Sequence, residues 1–300
     1  MKYSIIIPTY KRVDQLEEAI ESVFAQTYQD FEIIVIDDGS PEPIVLKSAD
    51  SRIRLLRHET NRGAAAARNT GIRAAVGELI AFLDSDDLWF PTKLEKQAEF
   101  MQRMNFYASI TGYEYDTEEG FEVRILHKPG KSWLHELAKE CRLAPGVTLV
   151  VQSTCFSSVG YYDESMPRHE DYDWLLRYIQ FFDLGVLEDV LARVRRSGLA
   201  PGSLMEVSNQ IIIDRYGKLF ILKLGWFYGK WAVGRRLLET SVHYAAEGNR
   251  RNAVEYLLRA IVTYPFQSIG MYLRIVGGLL GFAFIPKIKR FLLEIRRYKQ

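Results

Sequence analysis

The chain contains 300 residues, 48% hydrophobic and 26% charged, which excludes a disordered chain and predicts one large folded domain or one domain with an extension. Its 39 basic and 38 acidic residues give a net charge of +1, which excludes a general electrostatic attraction to nucleic acid. Two cysteines, Cys141 and Cys155, build no disulfide framework, and the apolar run before Pro8 is too short for a secretory signal. These features predict a cytoplasmic location.

The first 90 residues alternate between strand and helix patterns. Short β-branched apolar runs predict strands at 3–7, 32–36, 53–56 and 79–83, and helical spacing of good helix formers predicts helices at 15–25 and 64–75. Continuous apolar strands separated by helices predict an α/β fold with a mostly parallel central sheet flanked by helices. Such a sheet binds ligands at the carboxyl ends of its strands.

Polar residues follow three of these predicted strands. The chain reads PTYKR after residue 7, DDGS after residue 36 and DSDD after residue 83. The crowded carboxylates of the last motif repel one another and lose hydration beside an apolar strand, so they need protons, hydrogen-bond donors or a cation. Each motif alone also has a structural explanation: a turn at 38–39, a solvated helix start at Arg12, and a turn in which Asp87 caps the next helix.

Four motifs together are more specific than any one of them. IIIPTYKR, IIVIDDGS, NRGAAAARNTGI and AFLDSDDLW occur in this order and closely resemble the nucleotide-sugar-binding half of family-two glycosyltransferases with the GT-A fold. The resemblance implies a GT-A catalytic domain at 1–202, with a nucleotide-binding half at 1–90 and an acceptor half at 91–202. It also implies a metal-dependent, inverting transfer of a sugar from a nucleotide-diphospho-sugar, with a UDP-sugar favoured.

The same resemblance assigns residues to the donor and its cation. It implies nucleotide contacts for Pro8, Thr9, Tyr10, Arg12, Asp37, Asp38, Arg68 and Asp84. Asp86 would hold Mn²⁺ or Mg²⁺, because hard carboxylate and phosphate oxygens suit these cations. A surface ion pair is the structural alternative for Arg68.

The middle of the chain predicts strands at 106–115 and 122–126 and a helix at 133–140. In family-two glycosyltransferases this region shapes the acceptor pocket, which makes Tyr113, His127 and Trp133 candidates for it. A place in the core or at the rim of the pocket explains these side chains equally well.

The stretch MPRHEDYDWLLRY places His169, Glu170 and Asp171 at the start of a predicted helix. By themselves, the two carboxylates complement the positive end of that helix. A glutamate-aspartate pair about 85 residues after the D-x-D triplet also resembles the catalytic element of the family, which implies that Asp171 is the general base. Asp173 is a rival base by proximity, and His169 either binds substrate or caps the helix.

The stretch VLARVRRSGLAPGSL resembles the family's loop that closes over the diphosphate. Arg195 and Arg196 would suit the phosphates because guanidinium groups bind such oxygens in a bidentate manner. A solvated basic loop is the alternative, and the histidine that normally follows the arginine in the family is absent here.

Residues 203–300 predict a helical extension, within which 243–265 resembles a single tetratricopeptide hairpin. Residues 266–300 combine an apolar stretch, interrupted by Arg274, with a basic amphipathic helix. This combination predicts peripheral attachment to the inner face of the cell membrane, against the alternative of a helix packed on the protein. Such attachment suits a glycan or lipid-linked acceptor.

Two other functional classes are alternatives to the glycosyltransferase hypothesis. A sugar-phosphate nucleotidyltransferase would carry a glycine-rich loop where this chain has Pro8-Thr9-Tyr10. A noncatalytic membrane adaptor could retain the fold without the chemistry. The sequence leaves the sugar, the acceptor, the linkage and the oligomeric state open.

Overall fold

The computed structural model describes residues 1–118, 120–195, 198–267 and 269–279. The chain divides into two compact units, Met1–Ser197 (unit 1) and Gly198–Gln300 (unit 2). The boundary predicted from the sequence lies after residue 202.

Unit 1 alternates strands and helices. Its first half contains β1 (Tyr3–Thr9), α1 (Val13–Phe24), β2 (Phe31–Asp37), β3 (Ile53–Arg57), α2 (Ala64–Ala74), β4 (Leu79–Phe82) and β5 (Leu88–Trp89). Its second half contains α3 (Lys93–Met104), β6 (Ala108–Thr117), β7 (Gly120–Arg124), α4 (Trp133–Lys139), α5 (Pro145–Thr148), β8 (Val150–Gln152), α6 (Cys155–Val159), α7 (Glu170–Tyr178) and β9 (Gly185–Val194). The predicted α/β fold class is confirmed.

One mixed sheet runs through unit 1 in the order β3-β2-β1-β4-β8-β6-β9-β5, with β7 paired to β6. The strands β3, β2, β1 and β4 are parallel neighbours, as the alternating sequence pattern predicts. Beyond β4, the strand β8 runs antiparallel to both of its neighbours, whereas β6 and β9 are parallel. The hairpin of β6 and β7 has to be antiparallel because only a short turn joins them.

Buried aliphatic side chains hold this sheet between its helices. β1 and β2 are buried over nearly their whole length, so they read as continuous apolar runs rather than as alternating ones. The small residues of α2 let that helix lie close to the sheet. A Cβ atom on Gly71 would lie 2.5 Å from Ile6 Cγ2 and 2.9 Å from Ile36 Cδ1, so only glycine permits this approach.

Unit 2 contains the helices α8 (Gly202–Leu224), α9 (Trp226–Ala246), α10 (Arg250–Thr263) and α11 (Ile269–Leu279). Its core surrounds α9 and includes Leu238, Tyr244, Ala253, Ala260 and Ile275. Among the described residues, no helix combines the length and the apolar character needed to cross a bilayer. Most of the predicted membrane segment 266–300 lies outside the described residues.

Candidate active site

The residues predicted to bind the nucleotide gather where β1, β2 and β4 end. Thr9 and Asp37 are the last residues of neighbouring parallel strands and are paired in register. The pairing continues at the next residue of the second strand, because the backbone N–H of Asp38 donates to the carbonyl of Thr9 at 2.9 Å. Pro8 and Thr9 lie within β1, and Tyr10 is partly exposed just beyond it. Loops from separate parts of the chain therefore form one rim.

Two buried oxygen atoms at this rim have no hydrogen-bond partner in the described structure: Thr9 Oγ1 and Asp37 Oδ2. The other carboxylate oxygen of Asp37 accepts from the backbone N–H of Ser40 at 2.9 Å. Asp37 Oδ2 lies 3.6 Å from Arg57 Nε, which gives it an ion-pair contact without a hydrogen bond. Buried polar atoms are nearly always hydrogen-bonded, so Thr9 Oγ1 in particular suits contact with a polar ligand or an ordered water. Their predicted role towards the nucleotide stays a prediction.

The carboxylate of Asp38 is buried and already organises the loop before α2. It accepts hydrogen bonds from His58 Nδ1 at 2.7 Å, from the backbone N–H of Arg62 at 3.0 Å and from that of Gly63 at 2.8 Å. His58 in turn contacts Thr70 Oγ1 through Nε2 at 2.9 Å. Nothing in the local sequence marks His58, because its partners Asp38 and Thr70 come close to it only in the folded chain.

The acidic residues after β4 each have a different partner. Asp84 Oδ1 accepts from Arg68 Nη2 at 2.6 Å, and Asp86 Oδ2 accepts from Arg12 Nη1 at 2.5 Å. Asp87 Oδ1 accepts from the backbone N–H of Arg195 at 2.8 Å. The helix-capping explanation for Asp87 is wrong, because β5 follows it directly and α3 begins only at Lys93.

These carboxylates remain crowded despite their partners. Burial, together with the charges of Asp84 and Asp86, raises the pKa of Asp87 to about 8. Burial and the charge of Asp84 also raise the pKa of Asp86, although Arg12 opposes this. The described residues contain no group of three or more His, Cys, Asp or Glu side chains that could hold a metal ion. Mg²⁺ and Mn²⁺ often bind through one or two carboxylates and the substrate phosphates, so the hard oxygens of this segment fit such a cation.

Arg68 lies at the centre of the site and is almost fully buried. Its two terminal nitrogens pair with Asp84 and with Glu170, the first residue of α7. Although burial disfavours the charge of Arg68, Asp84 and Glu170 raise its pKa well above the ordinary value. The surface ion pair considered for Arg68 is therefore wrong, because the pairing is internal and joins the acidic segment to α7.

Asp171 lies beside this ion-pair cluster in the first turn of α7. Burial and the charge of Glu170 raise its pKa to about 7, while Arg68 opposes the shift. One of its oxygens accepts from the backbone N–H of Tyr172 at 2.7 Å. His169 precedes the helix with a φ of +63°, which makes the sharp entry into α7, and no side-chain hydrogen bond caps that helix end. In this position the carboxyl of Asp171 has a pKa close to neutral pH.

The rival base Asp173 points into the protein. It is fully buried, and its carboxylate accepts from Arg177 Nε at 3.0 Å. Arg177 also donates to the carbonyls of Val159 and Tyr161, at 2.6 and 2.8 Å. Asp173 therefore anchors α7 to the preceding segment and offers no free carboxylate for a substrate.

The remaining candidates have varied positions. The guanidinium of Arg195 pairs with Glu18 on α1, and Arg196 lies outside the described residues. Trp133 and Tyr113 are buried and bonded to backbone carbonyls, those of Leu184 at 3.1 Å and Arg142 at 2.9 Å, which makes them core residues. His127 is exposed and pairs with Glu188.

Two further residues shape the site, and both became apparent only in the structure. Asn69 exchanges hydrogen bonds of 2.9 Å with the backbone of Tyr162, and it thereby fastens α2 to the segment before α7. The carbonyl of Gly146 accepts from the backbone N–H of Asp84 at 3.0 Å. A Cβ atom on Gly146 would lie 2.4 Å from Asp84 Oδ2, so only glycine fits beside this carboxylate.

Sequence comparison identifies the family of the chain that carries this site. The model of the family described as Glycosyl transferase family 2 matches residues 4–162. The chain belongs to glycosyl transferase family 2. The match covers β1 to β8 and the loops that carry the acidic segment, and it ends shortly before the first turn of α7.

Curated relatives of this family 2 member are similar over part of their length. An uncharacterized glycosyltransferase of Rickettsia felis is 37% identical over 203 residues, which are 66% of this chain but 33% of that protein. The Escherichia coli protein named UDP-Glc:alpha-D-GlcNAc-diphosphoundecaprenol beta-1,3-glucosyltransferase WfgD is 35% identical over 57% of this chain and 68% of its own length. The putative teichuronic acid biosynthesis glycosyltransferase TuaG of Bacillus subtilis is 38% identical over 42% of this chain and 52% of its own.

Solved structures share the fold at low sequence identity. Residues 1–349 of Staphylococcus aureus TarS in complex with UDP-GlcNAc align with a TM-score of 0.58 at 17% identity, covering 90% of this chain and 93% of that one. The complex of the same protein with UDP aligns with a TM-score of 0.55 at 18% identity, covering 88% and 91%. These alignments support the GT-A type of fold predicted for this family member.

Proposed function

We propose that this family 2 member is a metal-dependent, inverting glycosyltransferase. It transfers a sugar from a UDP-sugar to a hydroxyl of a glycan or lipid-linked acceptor during polysaccharide synthesis. The observation that carries the proposal is the buried Arg68, which pairs with Asp84 and Glu170 and so brings Asp171 beside the acidic segment. A donor-binding edge and a base with a raised pKa thereby share one site.

The donor is proposed from the rim and from the names of similar proteins. The ends of the strands offer polar and stacking contacts through Thr9 Oγ1, which has no hydrogen bond in the described structure, through the carboxylate of Asp37 and through the partly exposed ring of Tyr10. The structures of TarS were determined with UDP and UDP-GlcNAc, and WfgD is named as using UDP-Glc. These matches favour uridine over other bases and leave the sugar open.

Asp86 is the proposed ligand of Mn²⁺ or Mg²⁺. When bound, such a cation stabilises the negative charge that develops on the departing diphosphate. Arg12, which pairs with Asp86 in the structure, is placed to neutralise the same region. Asp84 is held by Arg68 through one oxygen and is the proposed contact of the ribose. Arg195 and Arg196 remain proposed contacts of the diphosphate.

Asp171 is the proposed general base. An acceptor hydroxyl is a weak nucleophile at neutral pH, so a carboxylate within hydrogen-bond reach has to take its proton as it attacks the anomeric carbon. A pKa of about 7 suits this task, because about half of the group is ionised at neutral pH and the ionised form still binds a proton well. A single displacement from the face opposite the leaving group inverts the anomeric configuration.

The acceptor is proposed from chemistry and names alone. WfgD is named for an acceptor carried on diphosphoundecaprenol, and TuaG for teichuronic acid biosynthesis. A lipid-linked acceptor suits a cytoplasmic enzyme attached to the inner face of the cell membrane. The membrane segment predicted at 266–300 lies mostly beyond the described residues and stays a prediction.

The test is release of UDP from a panel of UDP-sugars, with and without Mn²⁺. We expect one sugar to give metal-dependent release that an acceptor accelerates, and Asp171→Asn to lower transfer at least about a hundredfold while UDP-sugar still binds. Asp189→Asn is the matched control, because this partly exposed carboxylate lies outside the site. Full transfer by Asp171→Asn would overturn the assignment of the base. Release of pyrophosphate from a sugar phosphate and UTP would instead identify a nucleotidyltransferase, and binding without turnover would identify an adaptor.

A further inference from the structure

One end of unit 2 exposes large apolar side chains. Where α8 turns into α9, Leu222 is 81% exposed, Trp226 58% and Phe227 72%. The turn is made by Gly225, whose φ of +87° favours glycine, and a Cβ atom there would have no neighbour within 4 Å among the described residues. Large apolar side chains at a free turn indicate an interaction surface when they form a continuous patch.

The connection between α10 and α11 adds to the same end. Helices joined by short turns alternate in direction, so this connection lies at the end of the unit where α9 begins. Gln267 confirms the placement, because its Nε2 donates to the carbonyl of Trp231 at 2.9 Å. Phe266 on this connection is 79% exposed. We call the exposed side chains of Leu222, Trp226, Phe227 and Phe266 the aromatic end.

The opposite end of unit 2 has a different character. The turn from α9 to α10 consists of Glu247, Gly248 and Asn249, and α10 begins with Arg250 and Arg251; all five residues are exposed. The start of α8 lies at this polar end, because the backbone N–H of Gly202 donates to Glu247 Oε1 at 2.7 Å. Turns in this helical unit are therefore compatible with polar residues. Among the described residues of unit 2, the exposed aromatic side chains Trp226, Phe227 and Phe266 all lie at the other end.

Charge separates the aromatic end from the rest of the chain. The sequence contains no aspartate or glutamate from Arg215 to Leu238 or from Tyr256 to Leu279, although acidic and basic residues nearly balance overall. Of the cations in these stretches, Lys223 is exposed and Lys230 is half-buried, whereas Arg236 is buried and pairs with Glu239 just beyond the first stretch. Lys223 lies beside Leu222, and Lys230 follows Phe227 by one helical turn. Exposed apolar side chains thus occur together with cations and without carboxylates.

We propose that the aromatic end docks on an anionic lipid bilayer. Trp226 and Phe227 would enter the boundary between headgroups and acyl chains, and Lys223 and Lys230 would contact anionic headgroups. A lipid surface is the partner that offers apolar and anionic groups together without requiring a specific shape. The surface differs from the membrane segment predicted at 266–300 and shares only Phe266 with it. The proposal rests on the surface of unit 2 and does not depend on the proposed reaction.

The first test compares binding to vesicles. The full chain should sediment with vesicles of phosphatidylglycerol and phosphatidylcholine and less with phosphatidylcholine alone. The variant with Leu222→Gln, Trp226→Gln and Phe227→Gln should lose at least about tenfold in affinity, because its apolar contact is removed. The matched control carries Val207→Gln and Val254→Gln, which replace exposed apolar residues of α8 and α10 near the polar end. It should bind like the unchanged chain.

A second test locates the contact. Brominated phospholipids should quench part of the tryptophan fluorescence, and Trp226→Phe should lose much of this quenching while retaining vesicle binding. Circular dichroism and UDP binding verify that each variant is folded, which separates this test from failure of the proposed reaction. The proposal is wrong if the unchanged chain ignores anionic vesicles at low salt, or if the triple variant binds them equally well. It is also wrong if the triple variant converts an oligomer into a monomer without lipid, since a second copy then covers the aromatic end.

Discussion

Arg68 of α2 donates to Asp84 Oδ1 at 2.6 Å and pairs through its other terminal nitrogen with Glu170 of α7. One buried guanidinium thus connects the acidic segment that follows β4 with the helix that carries the proposed base. The position of Asp171 beside the acidic segment depends on this connection, which Asn69 supports by fastening α2 to the segment before α7. Arg68 therefore contributes both to the fold of unit 1 and to the geometry of the site.

Replacing Arg68 should destabilise unit 1. In Arg68→Met, Glu170 and Asp84 lose their shared counter-charge, and removal of one partner from a buried ion pair costs about 3 kcal/mol or more of unfolding free energy. Arg73→Met is the control, because Arg73 is exposed and contacts Glu164 at 3.7 Å, a pair worth under about 1 kcal/mol. Urea denaturation measures both variants. Equal losses in the two variants would contradict the central role of Arg68.

The rate of transfer should depend on pH through Asp171. Burial and the charge of Glu170 raise the pKa of this carboxyl to about 7, and only its ionised form accepts a proton. We expect kcat/KM to fall about tenfold for each pH unit below this pKa and to level off above it. Initial rates between pH 5 and 9, with the metal held in excess, measure the profile. A profile that is flat between pH 5 and 7 would assign the base to another group.

The same shift predicts that Asp171 lowers the stability of the fold at neutral pH. Its pKa in the folded protein is above the ordinary value of 3.8, so the folded state binds the proton more tightly than the unfolded state. The contribution of Asp171 to stability is present in acid and is lost as the pH rises from about 4 to about 7. Asp171→Asn should therefore be more stable than the unchanged protein at pH 8 and about equally stable at pH 4. Thermal denaturation at both pH values decides; a less stable variant at pH 8 would contradict the shift.

Asp86 should determine the response to metal. Removal of this carboxylate in Asp86→Ala takes away the proposed ligand and one of the crowded charges of the acidic segment. UDP affinity should then no longer increase on addition of Mn²⁺, while the fold persists because less like-charge repulsion remains. Isothermal titration of UDP with and without Mn²⁺ measures the effect, with Asp189→Ala as the control. An unchanged effect of Mn²⁺ on UDP affinity would remove Asp86 from the metal site.

Gly146 should be required for the position of Asp84. In Gly146→Ala, the new methyl group would lie 2.4 Å from Asp84 Oδ2 and 3.1 Å from Arg68 Nη2, so the carboxylate has to move. We expect UDP affinity to fall at least about tenfold, which corresponds to about 1.4 kcal/mol. Gly130→Ala is the matched control, because a Cβ atom there meets nothing within 4 Å. If both variants bind UDP alike, Asp84 does not depend on this close contact.

The amino-acid sequence alone determined the order of strands and helices in the first half of unit 1. The four strands predicted there overlap β1 to β4, and the two predicted helices overlap α1 and α2. These features are local, because the alternation of apolar runs and helical spacing is visible within a few residues. The polar motifs are also visible in the local sequence. Because each motif directly follows a predicted strand, the sequence placed the candidate residues at the ends of the strands.

The tertiary structure decided which charged groups meet. Arg12 pairs with a carboxylate 74 positions away, Arg68 with one 102 positions away, and the backbone of Arg195 with one 108 positions away. The roles of His58 and Gly146 became visible only in the structure, because their partners are distant in the chain. Ion pairing and pKa shifts follow distances through space and the loss of hydration on burial, and neither quantity is a property of a short stretch of sequence.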